Sequence, residues 1–353
     1  MADGEAVIEL RGLCKWYPLR QRVLDTLLGR TPRYLRAVDG VSFGVRAGEV
    51  LGVAGESGCG KSTTGMTAIH LHAPTAGEIL FDGRPVGDSA AELREFRRHA
   101  QIVFQNPYES LNPRFTVADS IREPLAIHFP RQHDRQERML LQAMERAGLT
   151  PVDDYLDRFP HQLSGGQLQR IAIARAIAVQ PRFLVADEPV SMLDVSIRAG
   201  ILNLFRHFSS ELQMAILYIS HDLSTMRHVC SRVAIMYLGR IVEMGTATQV
   251  LDAPLHPYAR ALMAAAPVMT NRSRERIELK GAVPNPADMP AGCRFHPRCP
   301  RATDVCRTIE PALEATDAER VVACHLYRSG SGPGTAPLAA AAAHHQGEGN
   351  AIA

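Results

Sequence analysis

The run Gly55-Glu56-Ser57-Gly58-Cys59-Gly60-Lys61-Ser62-Thr63 limits what this chain can fold into more than any other stretch. Apolar Glu49-Val50-Leu51-Gly52-Val53-Ala54 precedes it, and Thr64-Gly65-Met66-Thr67-Ala68-Ile69 follows. That order is strand, glycine-rich loop, helix, the context in which a P-loop pattern carries meaning; elsewhere the same glycines are an ordinary turn. The glycines let backbone N–H groups turn inward around phosphate oxygens, and the helix N-terminus adds the positive end of its dipole. Gly55, Ser57, Gly58, Cys59, Gly60, Lys61, Ser62 and Thr63 are therefore the candidate cradle. Lys61 would reach the β- and γ-phosphates, and the Ser62 hydroxyl would ligate Mg²⁺. The sequence predicts a chain that binds nucleoside triphosphate.

At 353 residues the chain exceeds most single cores, so one large domain with a smaller one is expected. A formal net charge of +2 argues against a nucleic-acid protein held by bulk electrostatics. No run approaches the roughly 18 consecutive apolar residues of a membrane span. The first residues lack a basic region followed by an apolar one, so no secretory signal is expected. The chain is expected to stay in the cytoplasm and to act at a membrane only through partners.

Val7-Ile8-Glu9-Leu10 through Tyr17 alternates as an edge strand does, and a basic stretch from Arg20 to Arg36 follows as a long excursion. Strand character returns at Ala37–Phe43, and again at Gly77–Gly83, closed by an Asp-Gly turn. Residues from about Pro107 to Gln180 are helical in pattern, a subdomain inserted into an α/β core. From Phe183 the βαβ rhythm resumes: a short strand ending in two carboxylates, an amphipathic helix, then apolar strands at Met214–Ile219 and Val233–Leu238. Proline density rises after Pro254, and the tail beyond about Ser329 has a disordered composition, with His344-His345 as solvated residues.

The second decisive motif is Leu163-Ser164-Gly165-Gly166-Gln167, followed by a helix. With it the chain resembles the ATP-binding cassette (ABC) family, whose signature sequence this is. The resemblance implies a P-loop NTPase of α/β class with an antiparallel β edge and a helical subdomain. It implies that Ser164, Gly165, Gly166 and Gln167 serve a nucleotide held by an opposite subunit. Asp187 matches the aspartate that holds the Mg²⁺ shell, and Glu188 the catalytic carboxylate that polarises the attacking water. Gln105 matches the glutamine that senses Mg²⁺ and water, making Ser62, Gln105 and Asp187 the expected magnesium residues. Asp194 matches the loop that crosses the dimer interface, and His221 the switch histidine on the γ-phosphate. Tyr17 stands where the family places an aromatic residue on adenine, although an ordinary edge-strand aromatic would look the same.

Three local features resemble the dipeptide/oligopeptide importer ATPases: Phe104–Arg114, the His256-Pro257-Tyr258 element, and Pro290–Pro300 with its cysteines. The long basic excursion resembles the F-type subunit. The implied division is a nucleotide-binding domain over 1–255, with the helical subdomain at about 107–180. A C-terminal extension over 256–328 and a disordered tail over 329–353 complete it.

Of seven cysteines, Cys14, Cys59 and Cys230 are scattered, as reduced packing residues are. Cys293, Cys299, Cys306 and Cys324 form C-x5-C-x6-C-x17-C, which is not a paired C-x2-C zinc pattern. Four thiolates suit zinc or a [4Fe–4S] cluster, and metal-free packing stays open. Resemblance to the importer branch implies the iron–sulfur cluster, with zinc as the alternative. His296 and His325 lie nearby as substitute ligands.

The function implied is ATP hydrolysis that energises import of di- or oligopeptides from the cytoplasmic face of the inner membrane. The implied partners are a second ABC ATPase, two transmembrane permease subunits and, indirectly, an extracytoplasmic peptide-binding protein, with no nucleic acid. The alternative is a soluble ABC ATPase acting on nucleic acid or ribosomes. Such proteins carry coiled-coil insertions or two cassettes in one chain, and neither is visible.

Overall fold

A computed structural model describes residues 5–19, 33–265, 284–317 and 319–327. Most of the basic stretch from Arg20 to Arg36, and all of the tail over 329–353, lie outside them. In chain order the first six strands are β1 (Ala6–Pro18), β2 (Tyr34–Arg46), β3 (Val50–Ala54), β4 (Ala76–Phe81), β5 (Arg84–Pro85) and β6 (Ala100–Val103). Then come β7 (Phe183–Asp187), β8 (Ala215–Ile219), β9 (Arg232–Tyr237), β10 (Arg240–Thr246), β11 (Glu314–Asp317) and β12 (Arg320–Val322).

They form two sheets, a four-stranded β2-β1-β4-β5 and an eight-stranded β11-β12-β10-β9-β3-β8-β7-β6. The smaller sheet is antiparallel throughout. In the larger, β6, β7, β8, β3 and β9 run parallel, and β10 turns back antiparallel on β9.

The parallel strands read as unbroken apolar runs because both of their faces are covered. Successive residues go to opposite cores. Val50, Leu184, Ala186, Ile216 and Tyr218 join the cluster with the helices of 117–177 and 201–208. Leu51, Val53, Phe183, Val185, Leu217 and Ile219 join the cluster with β1, β2 and the P-loop helix Lys61–Ala68. Residues 107–177 carry four α-helices, at Pro107–Ser110, Val117–His128, His133–Arg146 and Gly165–Ile177.

Register decides where the motifs emerge. Val53 pairs with Ile219, and Ile219 pairs with Asp187, so β3, β8 and β7 end level with one another. β6 ends beside them, with Val103 against Ala186. The P-loop, Gln105, Glu188 and His221 thus leave one carboxyl edge of the sheet, where open α/β sheets bind ligands.

The C-terminal segment continues this sheet. β12 pairs antiparallel with β10, Val322 opposite Glu243, and β11 pairs with β12. Among the described residues no helix is long and apolar enough to cross a membrane.

Candidate functional site

The loop from Gly55 to Gly60 wraps tightly enough to exclude side chains at particular points. Gly60 caps the P-loop helix in the left-handed region, with φ of 108°. A Cβ there would stand 2.0 Å from the Ala37 carbonyl oxygen, so only glycine fits. Lys61 reaches back across the loop, its ammonium donating to the carbonyls of Gly55 at 2.9 Å and Glu56 at 3.0 Å. Burial pushes the Cys59 thiol up and keeps it neutral.

Ser62 and Asp187, 125 residues apart in sequence, meet at 3.0 Å between Oγ and Oδ1. Burial raises the Asp187 carboxyl above its ordinary value, and its Ser62 hydrogen bond only partly offsets this. A hard cation would remove that penalty, and a hydroxyl plus a carboxylate is the oxygen donor set Mg²⁺ takes. Gln105 does not join this pair. Its Nε2 donates to Glu188 Oε2 at 3.2 Å.

Glu188 is held in the left-handed region, φ 47°, by its own N–H donating to the Ile219 carbonyl at 2.8 Å. This turns its carboxylate toward β8, where Oε2 also lies 3.0 Å from His221 Nδ1. The Glu188 side chain is mostly covered, whereas His221 is exposed on the open side. Tyr17, Ser57, Gly58, Gly60, Lys61, Ser62, Thr63, Gln105, Glu188 and His221 line one cavity of about 520 Å³. The Tyr17 ring sits edge-on to His72 at 6.1 Å between centroids, with Lys15 Nζ 5.3 Å from its centre.

The signature residues stand elsewhere. Ser164 caps the helix Gly165–Ile177 in a reciprocal box. Its Oγ accepts from Gln167 N at 3.3 Å, and Gln167 Oε1 accepts from Ser164 N at 2.9 Å. The Ser164 O–H and the N–H groups of Gly165 and Gly166 keep donor capacity at a helix N-terminus. A Cβ on Gly166 would meet Ile197 Cγ2 at 2.8 Å, so the signature helix lies close against the segment that follows Asp194. Asp194 is exposed there, flanked by exposed Met192 and Val195. None of Ser164 to Gln167, nor Asp194, lines the P-loop cavity.

The iron–sulfur expectation is overturned. Among the described residues no group of three or more His, Cys, Asp or Glu side chains is placed to hold a metal ion, so neither the cluster nor zinc is supported. Cys293, Cys299, Cys306 and Cys324 do fall within one small module, and Cys293 and Cys299 pack against the main core as small apolar residues. Burial pushes the Cys293 thiol up to about 11 and Cys324 up to about 12, and raises Cys299 as well. The neighbouring cysteines add to the rise, and all four side chains are only partly buried. His296 and His325 are not aimed at them as ligands: His296 Nδ1 lies 2.9 Å from the Cys293 carbonyl, and His325 Nε2 lies 2.9 Å from that of Ile309.

Sequence reasoning missed what does fasten this module. Arg294, Arg298 and Arg320 are all buried, and each meets a carboxylate of the nucleotide-binding part: Asp39, Glu56 and Glu243 respectively. Burial works against the charge of Asp39, yet the Arg294 guanidinium holds its carboxyl below the ordinary range. His256 is sealed from solvent and is pulled down to about 3, and its neutral Nδ1 accepts from Tyr258 N at 3.0 Å. That contact starts the helix Pro257–Ala265 and explains the His-Pro-Tyr element.

A family model described as ABC transporter matches residues 38–191, and one described as oligopeptide/dipeptide transporter, C-terminal region, matches 242–306. The oligopeptide transport ATP-binding protein AppF of Bacillus subtilis is 44% identical over 331 residues, which cover 92% of this chain and 99% of that one. The dipeptide transport ATP-binding protein DppF of Haemophilus influenzae is 44% identical, covering 91% and 97%. Among solved structures, cbiO1 of Clostridium perfringens, part of an ABC transporter complex, superposes with a TM-score of 0.59 at 26% identity, over 70% of this chain and 92% of that one. A dimeric ATP-binding cassette, MJ0796 bound to ADP and Pi, also gives 0.59, at 27% identity over 68% and 98%. These likenesses favour no nucleic-acid or ribosomal role. The chain belongs to the ABC transporter family and, within it, to the oligopeptide and dipeptide transport ATP-binding proteins.

Proposed function

We propose that this chain is the ATP-hydrolysing subunit of a peptide importer and works as one half of a cassette dimer. The observation that carries this is the convergence of Lys61, Ser62, Gln105, Glu188 and His221 on one cavity at the carboxyl edge of the sheet. In this reading Gly55 to Thr63 cradle the phosphates and Tyr17 covers the adenine. Ser62 and Asp187 would hold Mg²⁺, with Gln105 beside them on Glu188; the ion would neutralise phosphate charge.

Glu188 Oε2, already accepting from Gln105, orients a water toward the γ-phosphorus. As the new P–O bond forms, the water's proton passes to Glu188, the bridging P–O bond breaks and ADP leaves with the electron pair. Lys61 and His221 stabilise charge on the transferring phosphoryl group. Ser164, Gly165, Gly166 and Gln167 complete the site of the second cassette, across a face that includes Asp194. Two permease subunits, a related ATPase and an external peptide-binding protein make up the rest of the importer, with this chain peripheral on the cytoplasmic side. The segment from residue 256 to 328 would act as an extension of the 1–255 cassette, fastened through Arg294, Arg298 and Arg320.

Glu188→Gln tests this reading. Glutamine keeps an oxygen for Gln105 yet cannot accept a proton, so hydrolysis is expected to fall about 10²–10⁴-fold while ATP binding persists. The variant is expected to elute as an ATP-dependent dimer and, in cells lacking the native chain, to leave labelled-dipeptide uptake unrestored. Undiminished hydrolysis by the variant would refute the role of Glu188, and normal uptake in cells without the chain would refute peptide import.

A further inference from the structure

Glu56 is the one acidic residue inside the phosphate-binding loop, and it is pinned at every polar group it has. Its N–H donates to the Tyr258 hydroxyl at 2.8 Å. Its carbonyl accepts from Lys61 Nζ at 3.0 Å and from Cys59 N at 3.3 Å. Its carboxylate takes a two-pronged grip from Arg298, Nη1 to Oε2 at 2.8 Å and Nη2 to Oε1 at 3.0 Å. Arg298 belongs to the cysteine-bearing module 242 residues away, and its side chain is 7% exposed. Tyr237 holds it from the other side, with the guanidinium carbon 5.9 Å from the ring centre and the hydroxyl 3.5 Å from Nη1. Tyr237, Tyr258 and Phe295 pack against one another there, at 4.6 to 5.4 Å between ring centroids.

A carboxylate in a loop built to receive polyphosphate works against that purpose. Unpaired, it repels the ligand and competes for Lys61, which already touches the same residue. A bidentate guanidinium neutralises it and fixes its direction, which a mobile ammonium does less well. From this geometry, and resting on the phosphate cradle proposed above, we infer that Arg298 is a positioning residue of the nucleotide site. The C-terminal module neutralises and orients Glu56, and so sets the affinity of the P-loop for nucleoside triphosphate. The module is then part of the ATP site's support, not only an appendage to it.

The test is a titration of the full chain with the fluorescent nucleotide mant-ATP and Mg²⁺. Arg298→Ala is expected to weaken binding about tenfold, the scale of one uncompensated charge near a protein surface. Glu56→Gln, which removes the offending charge and leaves the cation, is expected to bind within about twofold of wild type or tighter. The double variant is expected to recover to within about threefold. A merely structural ion pair predicts instead that both single variants weaken binding alike.

That result, or an Arg298→Ala chain that binds as wild type does, overturns the inference. Should Arg298→Ala yield no folded protein, Glu56→Gln decides alone: it is expected within about twofold of wild type or tighter, and a tenfold loss overturns the inference. Lys61→Ala marks the difference from the underlying reading. If wild type binds no mant-ATP, the cradle itself fails; if wild type binds and Lys61→Ala does not, an unaffected Arg298→Ala removes only the role of Arg298.

Discussion

Replacing Arg320 by methionine should unfasten the C-terminal module from the sheet it extends. Glu243, on β10, is fully buried and collects donors from three directions. Leu255 N lies 3.0 Å from Oε1, His256 N lies 2.7 Å from Oε2, and Arg320 approaches Oε1 with both Nε, at 3.1 Å, and Nη2. Arg320 Nη2 also donates to the Ala253 carbonyl at 2.6 Å. Methionine fills similar space but leaves a buried carboxylate with two backbone donors and no counter-charge. Removing one partner from a buried pair costs about 3–5 kcal/mol, because the remaining charge stays desolvated. At about 2–4 °C per kcal/mol, the melting temperature should fall by about 6–20 °C. Glu243→Gln added to Arg320→Met should recover half or more of the loss. Glutamine removes the charge and still accepts from His256 N, although it cannot serve both N–H groups as the carboxylate does. Scanning calorimetry of the purified chain at pH 7.5 measures this. A fall of less than about 2 °C for Arg320→Met would mean that water reaches Glu243, contrary to its burial.

His256 has a folded value of about 3 against 6.5 unfolded, so the unfolded chain takes up the proton first. Stability is then complete above about pH 6.5 and declines by about 1.4 kcal/mol per unit below it. Between pH 7.5 and 5.0 urea midpoints should record a loss of about 2 kcal/mol from this residue, and His256→Asn should abolish that part of the slope. Asp187, raised by burial, disfavours the folded state at every pH where it is ionised. Asp187→Asn should therefore melt higher than wild type in the absence of Mg²⁺ while losing Mg²⁺-dependent ATP hydrolysis; a lower melting point would contradict the desolvation account. With Cys293 near 11 and Cys324 near 12, fewer than about one thiol in a thousand is ionised at pH 7.5. Iodoacetamide should alkylate both at least about tenfold more slowly in native protein than in urea, as peptide mass spectrometry would show; equal rates would mean that the module is open.

What could be read from sequence was what depends on local chemistry at fixed spacing. The P-loop announces itself because Gly60 and Lys61 must be adjacent, and the strand before it because Val50 to Ala54 is buried throughout. The parallel strands β7 and β8 were legible for the same reason. The strand β6, only Ala100–Val103, is too short to carry a period, and the hairpin of β11 and β12 is held by pairing to β10 rather than by its own pattern. Ser164-x-x-Gln167 is a readable capping box, and its spacing could have been used to place the helix start. The cysteines misled because spacing reports only that thiols come near one another. Whether they are placed to hold a metal depends on the folded geometry, which no spacing encodes. The arginines were hidden for a related reason: Arg294 and Arg298 look like surface residues until their carboxylates, 255 and 242 positions earlier, are folded against them.

The cavity carboxylate Glu188 and the exposed Asp194 are mechanically linked. Glu188 and Asp194 are joined by six peptide bonds, Pro189-Val190-Ser191-Met192-Leu193 lying between them. This connection is not slack. The Ser191 hydroxyl and N–H both return to the Glu188 carbonyl, at 2.9 and 3.2 Å, and Leu193 N donates to Val190 at 3.2 Å. Arg198 Nε then holds the Leu193 carbonyl at 2.9 Å, and Ile197 abuts Gly166 of the signature helix. A displacement of the exposed Asp194 face has a short, hydrogen-bonded route both to the carboxylate in the cavity and to the signature helix. Neither end can shift far without the other, because a tight turn with three internal hydrogen bonds has few alternative shapes. In a cassette that meets a second cassette through Asp194 and Ser164, closure would therefore reach Glu188 by rigid transmission through five residues, without any rearrangement of the sheet.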